Sequence, residues 1–349
     1  MNKRKITVAV TGLNNIDSPG PGIPVIRALK ECSSFEVRII GLSYESLEPG
    51  LYMHDLVDKS YAIPLPSAGS QALFNRIQYI HSVEKLDLII PNFDAELHNF
   101  ILLSPTLKQQ LNIATFLPSR EVFDSRHKSE LPEFGEKYEI HVPKSTMIFS
   151  TKDIQKIEKE YEYPMVIKGK FYDASVAYNQ EQAISYFHKI SAKWGLPIII
   201  QEYVSGTEVN VTAIGDGLGK CIGAVAMRKL YITDKGKAWA GITLDDPELV
   251  VLSQKVVQNS KWRGGCELEF IKNKEGKYYL LEMNPRFPAW VYLAVGSGQN
   301  HPEALVKMAL GETIAPFEDY EKGKMFIRYS YDLIVNMDQF EKISTFGEL

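Results

Sequence analysis

The chain has 349 residues, 45% hydrophobic and 23% charged, with 39 Lys and Arg against 43 Asp and Glu for a net charge of −4. That is the make-up of a globular protein of about two domains, which excludes collagen-like, low-complexity and disordered classes. The acidic balance also argues against a general nucleic-acid binder, whose affinity would come from neutralising phosphates.

Cys32, Cys221 and Cys266 are too scattered for a disulfide framework or a zinc site and fit a reducing compartment. The basic start Met1-Asn2-Lys3-Arg4-Lys5 leads into no signal-peptide core, and no apolar run of about 18 residues suits a membrane span. A soluble cytoplasmic protein is expected.

Ile6–Val10 reads as a buried strand, Thr11–Gly22 as a Gly-, Pro- and Asn-rich loop, Ile23–Lys30 as a helix and Val37–Gly41 as a second strand. This βαβ start predicts a doubly wound parallel sheet, a Rossmann-like domain over residues 1–120. Gly12, Gly20 and Gly22 do not form G-x-G-x-x-G, so the loop reads first as a connector and second as a nucleotide site. The strand Leu86–Ile90 ends in Pro91-Asn92-Phe93-Asp94-Ala95-Glu96. Ligands gather beyond the carboxyl ends of such strands, so Asp94 and Glu96 either face a substrate or belong to the cap and first turn of a helix running to about Gln110.

Residues 118–145 are polar and read as a linker, with a domain boundary near 120. A charged helix Thr151–Glu162, a strand Tyr163–Lys168 ending in a lysine, a loop Gly169–Tyr178, a helix Gln180–Trp194 and a strand Pro197–Tyr203 predict a small separate lobe. The expected division is therefore 1–120, a linker and lobe over 121–205, and a carboxy-terminal lobe over 206–349, which Met325–Tyr331 closes as a strand.

Gly265–Ile271 alternates as a strand, Asn273-Lys274-Glu275-Gly276 is a turn, and Lys277–Met283 is the return strand. With a four-residue loop, Glu267 stands opposite Glu282 and Glu269 opposite Leu280, so Glu269, Glu282 and Asn284 project to one side. An odd loop or a bulge would break that convergence. Clustered carboxylates repel one another, and Mg²⁺ relieves them because it takes oxygen ligands and keeps phosphate oxygens and waters as the rest. Two residues on, Arg286 supplies a planar, permanently charged fork suited to phosphate or an acyl phosphate. The competing reading is a solvated polar face with a surface arginine.

This hairpin, ending in Glu282-Met283-Asn284-Pro285-Arg286, and the lysine strand Tyr163–Lys168 resemble the ATP-grasp superfamily over about Lys128–Leu310. The likeness is greatest to its carbamoyl-phosphate-synthase-like and amino-acid-ligase branch. It implies an α/β Rossmann-like domain followed by a two-lobed α+β ATP-grasp domain whose first lobe closes as a lid. It also implies that Glu269, Glu282 and Asn284 hold Mg²⁺, or Mn²⁺, on ATP, and that Arg286, with Arg228 of Ala226-Met227-Arg228-Lys229, steadies the transferring group. Lys168 and Lys128 would contact the phosphates, with Arg126 as the alternative to Lys128. In Ile199–Glu208, a backbone edge over Gln201, Glu202, Tyr203 and Val204 would read adenine and Glu208 the ribose. Taken singly, Lys168, Glu208 and Arg228 are ordinary surface charges; their order and spacing carry the likeness. Glu267 has no counterpart in the pattern.

One departure is the stretch Gly169-Lys170-Phe171-Tyr172-Asp173-Ala174-Ser175, where the family often has a glycine-rich loop. A turn at Ala174-Ser175 and the charge of Lys170 are expected to compensate. The implied reaction is an ATP-dependent carboxylate–amine ligation through an acyl phosphate, on an amino acid or a peptide, with ATP, the carboxylate and the amine as partners and no nucleic acid or membrane. Trp239–Thr243 and Phe287–Tyr292 are expected on the acceptor side, with Trp290 and Tyr292 either an apolar wall or part of the core. The alternatives are a bicarbonate-using carboxylase or carbamoyl-phosphate-type enzyme, disfavoured because no duplicated half or carrier domain is evident, and a nucleotide-binding regulatory protein without turnover. A nicotinamide dehydrogenase, suggested by the first βαβ unit alone, comes last.

Overall fold

In the computed structural model, which describes residues 3–16, 18–170 and 173–349, the amino-terminal third is built on four parallel strands. Their order is Lys59–Ala62, Phe35–Ser43, Arg4–Val10, Leu88–Ile90. Met1 and Asn2 of the basic start, Asp17 of the first loop and Phe171 and Tyr172 after Lys168 lie outside the described residues.

Strand alternation explains the near-continuous apolar run at 6–10. Ile6, Val8 and Val10 join one core with Val25, Ile26 and Leu29 of the helix Gly22–Lys30. Ala9 points the other way, into a second core with Leu73, Ile77 and Ile80 of the helix Ser70–Glu84 and Phe100 and Leu107 of the helix Asp94–Leu111. A parallel sheet covered on both faces needs such a run.

The first loop closes on itself. The amide of Gly20 donates to the Asn14 carbonyl at 2.7 Å and that of Gly22 to the Gly12 carbonyl at 2.9 Å. A Cβ on Gly22 would meet the Thr11 carbonyl oxygen at 2.3 Å, so glycine is required by close backbone approach. These two amides are committed within the loop, as a connector requires.

The described chain divides into two units, one of residues 1–120, 210–267 and 284–349, the other of 121–209 and 268–283. A six-stranded sheet runs in the order Tyr278–Asn284, Arg263–Asn273, Gly206–Asp216, Cys221–Ile232, Ala238–Thr243, Met325–Ile327. The last strand stops at Ile327, short of the expected Tyr331.

The second unit has its own antiparallel sheet, ordered Ser145–Ile148, Ile198–Glu202, Met165–Gly169, Ala174–Ala177. The helix Gln180–Trp194 lies against it, capped by Asn179, whose side chain accepts from the Gln182 amide. Two expectations change here. The charged helix ends at Ile157 and not Glu162, because Tyr161 is drawn into the core. Ala174 and Ser175 form no turn: they are paired in a strand opposite Lys168 and Ile167. The stretch read as a linker contains the helices Arg120–Ser125 and Leu131–Lys137, which bury Phe123, Leu131 and Phe134. Among the described residues no helix is long and apolar enough to cross a membrane.

Candidate nucleotide and carboxylate sites

In the second unit, the strand Met165–Gly169 points Met165 and Ile167 into the core beneath the helices, so Lys168 faces the other side of the sheet. Its cross-strand partner there is Ile199, buried and outside that core. Lys128 reaches the same place, with its Nζ 3.2 Å from Glu282 Oε2. Burial, and then the charge of Lys128, push the Lys168 ammonium down to about 8, against the opposing pull of Glu282 and Glu269. The structure therefore gathers Lys128, Lys168, Glu269 and Glu282 into one charged cluster. Arg126 stacks on Phe123 instead, its guanidinium carbon 4.3 Å from the ring centre.

The two acids converge although the hairpin is not the expected one. Asn273 donates to the Lys277 carbonyl and accepts from Gly276, whose φ is +85°, so three residues form the loop. An odd loop alone would place Glu269 and Glu282 on opposite faces. Both acids nevertheless act on Lys168, and the burial alternation of the return strand is broken at Leu281 and Glu282, both half-buried and followed by buried Met283 and Asn284.

Among the described residues no group of three His, Cys, Asp or Glu side chains is placed to hold a metal by itself. Two carboxylates beside two ammonium groups fit a hard divalent ion only when phosphate oxygens and water complete its shell. At the strand end, Gln201 is buried, and Glu202 donates its amide to the Lys144 carbonyl at 2.8 Å while its carboxylate accepts from the Lys144 amide at 3.2 Å. Tyr203 is exposed and Val204 and Glu208 are half-buried. Gly206 passes so close to the chain at Lys272 that a Cβ would sit 2.2 Å from its carbonyl oxygen.

A second polar cluster lies in the first unit, and Glu267 is its centre. This carboxylate is 6% exposed. It accepts from Trp290 Nε1 at 2.6 Å, Asn284 Nδ2 at 3.2 Å and Asn210 Nδ2 at 3.3 Å, and Arg286 Nη1 lies 3.9 Å away. Burial lowers the Arg328 guanidinium to about 10, and the charge of Glu267 opposes that shift. Arg286 donates through Nε to Asp94 Oδ2 at 2.9 Å and through Nη1 to the Phe287 carbonyl at 3.2 Å.

Sequence reasoning missed Glu267. The available signal was an acid between Cys266 and Leu268 on an apolar strand, where an uncompensated charge is not tolerated.

The other expected residues separate. Asp94 is not the cap of its helix: the N-cap is Phe93, and the side chain of Glu96 accepts the Asn92 and Phe93 amides, each at 3.0 Å. Glu96 is fully buried and also accepts from Thr11 and Tyr44, so it faces no substrate. Trp290 packs with Met227, Ala238 and Leu293. The hydroxyl of Tyr292 bonds to Glu31 and its ring lies under Arg27 at 3.8 Å, so neither aromatic forms an acceptor wall. Arg228 is exposed on the strand Cys221–Ile232, opposite Ile242 of the Ala238–Thr243 strand.

Residues 196–330 match the family described as "ATP-grasp in the biosynthetic pathway with Ter operon". The chain is 26% identical over 236 residues to the carbamoyl phosphate synthase large chain of Thermoanaerobacter pseudethanolicus, an alignment covering 62% of this chain and 21% of that one. The chain thus spans about a fifth of that relative's length.

In fold it is similar to the biotin carboxylase domain dimer of 2-oxoglutarate carboxylase from Hydrogenobacter thermophilus, solved with MgADP, ADP and bicarbonate. The TM-score is 0.68 at 17% identity, over 89% of this chain and 71% of that one. It is also similar to an L-amino acid ligase from Bacillus licheniformis, with a TM-score of 0.63 at 14% identity over 89% of this chain and 75% of that one. The resemblance to the ATP-grasp superfamily thus holds in sequence over the carboxy-terminal part and in fold over most of the chain.

Proposed function

We propose that this chain is an ATP-dependent, ADP-forming carboxylate–amine ligase. A substrate carboxylate takes the γ-phosphoryl group of ATP, giving an acyl phosphate and ADP, and an amine then displaces phosphate to form an amide. The observation that carries this reading is the grouping of Lys128, Lys168, Glu269 and Glu282 on one side of the second unit. Phosphoryl transfer needs alignment and charge neutralisation more than covalent help.

In this reading residues 1–120 are a Rossmann-like domain, 121–205 a linker and lid lobe, and 206–349 the lobe with the metal hairpin. Lys128 and Lys168 hold the phosphates, the stretch Gln201–Val204 meets adenine and Glu208 the ribose. Glu269, Glu282 and Asn284 would hold Mg²⁺ or Mn²⁺, which when bound supplies charge neutralisation at the phosphate oxygens. Arg286, with Arg228, binds the carboxylate and the transferring group. The carboxylate is that of an amino acid or a peptide. Three unpaired, buried cysteines support a cytoplasmic setting.

A bicarbonate-using enzyme is the second reading, favoured by the sequence likeness to a carbamoyl phosphate synthase large chain. A screen of ADP release with amino acids, dipeptides and bicarbonate, with product masses read directly, separates the two. Glu282→Ala is expected to abolish ADP formation with the wild-type substrate pair, and unchanged turnover would overturn the ligase reading.

A further inference from the structure

Arg286 is placed to meet a substrate carboxylate, yet its charge is already opposed. Asp94 Oδ2 lies 2.9 Å from its Nε and Glu267 Oε2 lies 3.9 Å from its Nη1. Among the described residues, Asp94 and Glu267 stand beside Arg286, and Glu267 also faces Arg328. A simple anion such as bicarbonate gains little from an arginine neutralised in this way, because the nearby carboxylates repel it about as strongly as the guanidinium attracts it.

The two acids differ in what they offer. Glu267 is enclosed and its oxygens are taken by Trp290, Asn284 and Asn210. The Asp94 side chain is 32% exposed, and its Oδ1 takes no hydrogen bond among the described residues. Asp94 opens the helix Asp94–Leu111 at the carboxyl end of the strand Leu88–Ile90. A half-buried cationic fork and a partly exposed carboxylate thus stand side by side. An α-amino acid carries the complementary pair, with its ammonium one carbon from its carboxylate.

We infer that Asp94 and Arg286 together read a zwitterion: Arg286 takes the carboxylate and Asp94 Oδ1 the adjacent ammonium, so the activated acid is a free α-amino acid and not bicarbonate or an unsubstituted acid. This rests on the ligase reading and names its substrate class. Asp94 is the specificity-determining residue. Such a pair discriminates because a ligand lacking the ammonium sets its carboxylate beside Asp94 with nothing on Oδ1 to offset that charge.

The test compares matched acids in ADP release: alanine with propionate, valine with isovalerate, and phenylalanine with 3-phenylpropionate. The wild-type chain is expected to favour the amino acid of a productive pair by at least about 10-fold in kcat/KM. Asp94→Asn is expected to erase that preference by lowering kcat/KM for the amino acid more than for the deaminated acid. An equal loss for both members of the pair would mean that Asp94 only holds Arg286, and would overturn the inference. ADP release driven by bicarbonate but by no amino acid would overturn it while leaving ATP-driven acyl phosphate chemistry in place. ATP binding with no ADP release for any acid would overturn the ligase reading and this inference with it.

Discussion

Lys128 Nζ stands 3.2 Å from Glu282 Oε2, so a lysine that precedes the strand Ser145–Ile148 is tied to a carboxylate on the strand Tyr278–Asn284, 154 residues later. Lys128 and Glu282 are 22% and 36% exposed as side chains, so the pair itself stabilises little. In the proposed ligase its value is positional, since Lys128 is held where a nucleotide phosphate would replace Glu282 as its partner. Lys128→Met is expected to raise the KM for ATP by about 10-fold or more with a smaller effect on kcat, measured by steady-state ADP release. Arg126→Met is expected to leave that KM unchanged, because the Arg126 guanidinium lies on Phe123.

Lys168 gives a pH signature. Its ammonium, pushed down to about 8 by burial and Lys128, is charged below that pH and neutral above it. Affinity for MgADP is therefore expected to fall as pH rises through about 8 in titration calorimetry. Lys168→Arg keeps the charge at all working pH values and is expected to flatten the profile between pH 7 and 9. A profile that steepens at the same pH in Lys168→Arg would assign the titration to another group.

The parts legible in the sequence are those fixed by local physics. The helix Gln180–Trp194 was readable at both ends because Asn179 caps it and Gly195, at φ +76°, ends it. The run Ile6–Val10 was readable as a strand because both its faces are covered. The convergence of Glu269 and Glu282 on Lys168 follows in the sequence from a four-residue loop, whereas the loop holds three residues, a difference that leaves no mark in composition. Glu267 was opaque for a different reason. Its partners lie 57 residues before it, at Asn210, and 17 and 23 after it, at Asn284 and Trp290, and no local period brings them together.

Glu267 is expected to be a positioning residue for the carboxylate end of the site. Glu267→Gln keeps an acceptor for Trp290 but removes the charge that faces both Arg286 and Arg328. Loss of one partner from a buried charged network costs about 3 kcal/mol, visible as a lower midpoint in urea unfolding. In the same variant the KM for the carboxylate substrate is expected to rise with the KM for ATP unchanged, a split that a purely structural loss would not produce. Trp290→Phe removes one hydrogen bond to a charged acceptor and is expected to cost about 2 kcal/mol.

Glu96 makes stability depend on pH in the less common direction. Burial raises its carboxyl to about 7, and the hydrogen bonds from Thr11, Tyr44, Phe93 and Asn92 oppose that rise. The folded state therefore holds a proton that the unfolded chain, titrating near the ordinary glutamate value, has released. The contribution is fully present below about pH 4, declines between there and about pH 7, and is lost above, an effect on the order of 3 kcal/mol for a shift of this size. Glu96→Gln, which stays neutral, is expected to lose this slope: its unfolding midpoint, followed by circular dichroism between pH 5 and 8, should fall less with rising pH than that of the wild type. Parallel curves for the two chains would mean that Glu96 is ionised in the fold across that range, its charge carried by the hydroxyls of Thr11 and Tyr44.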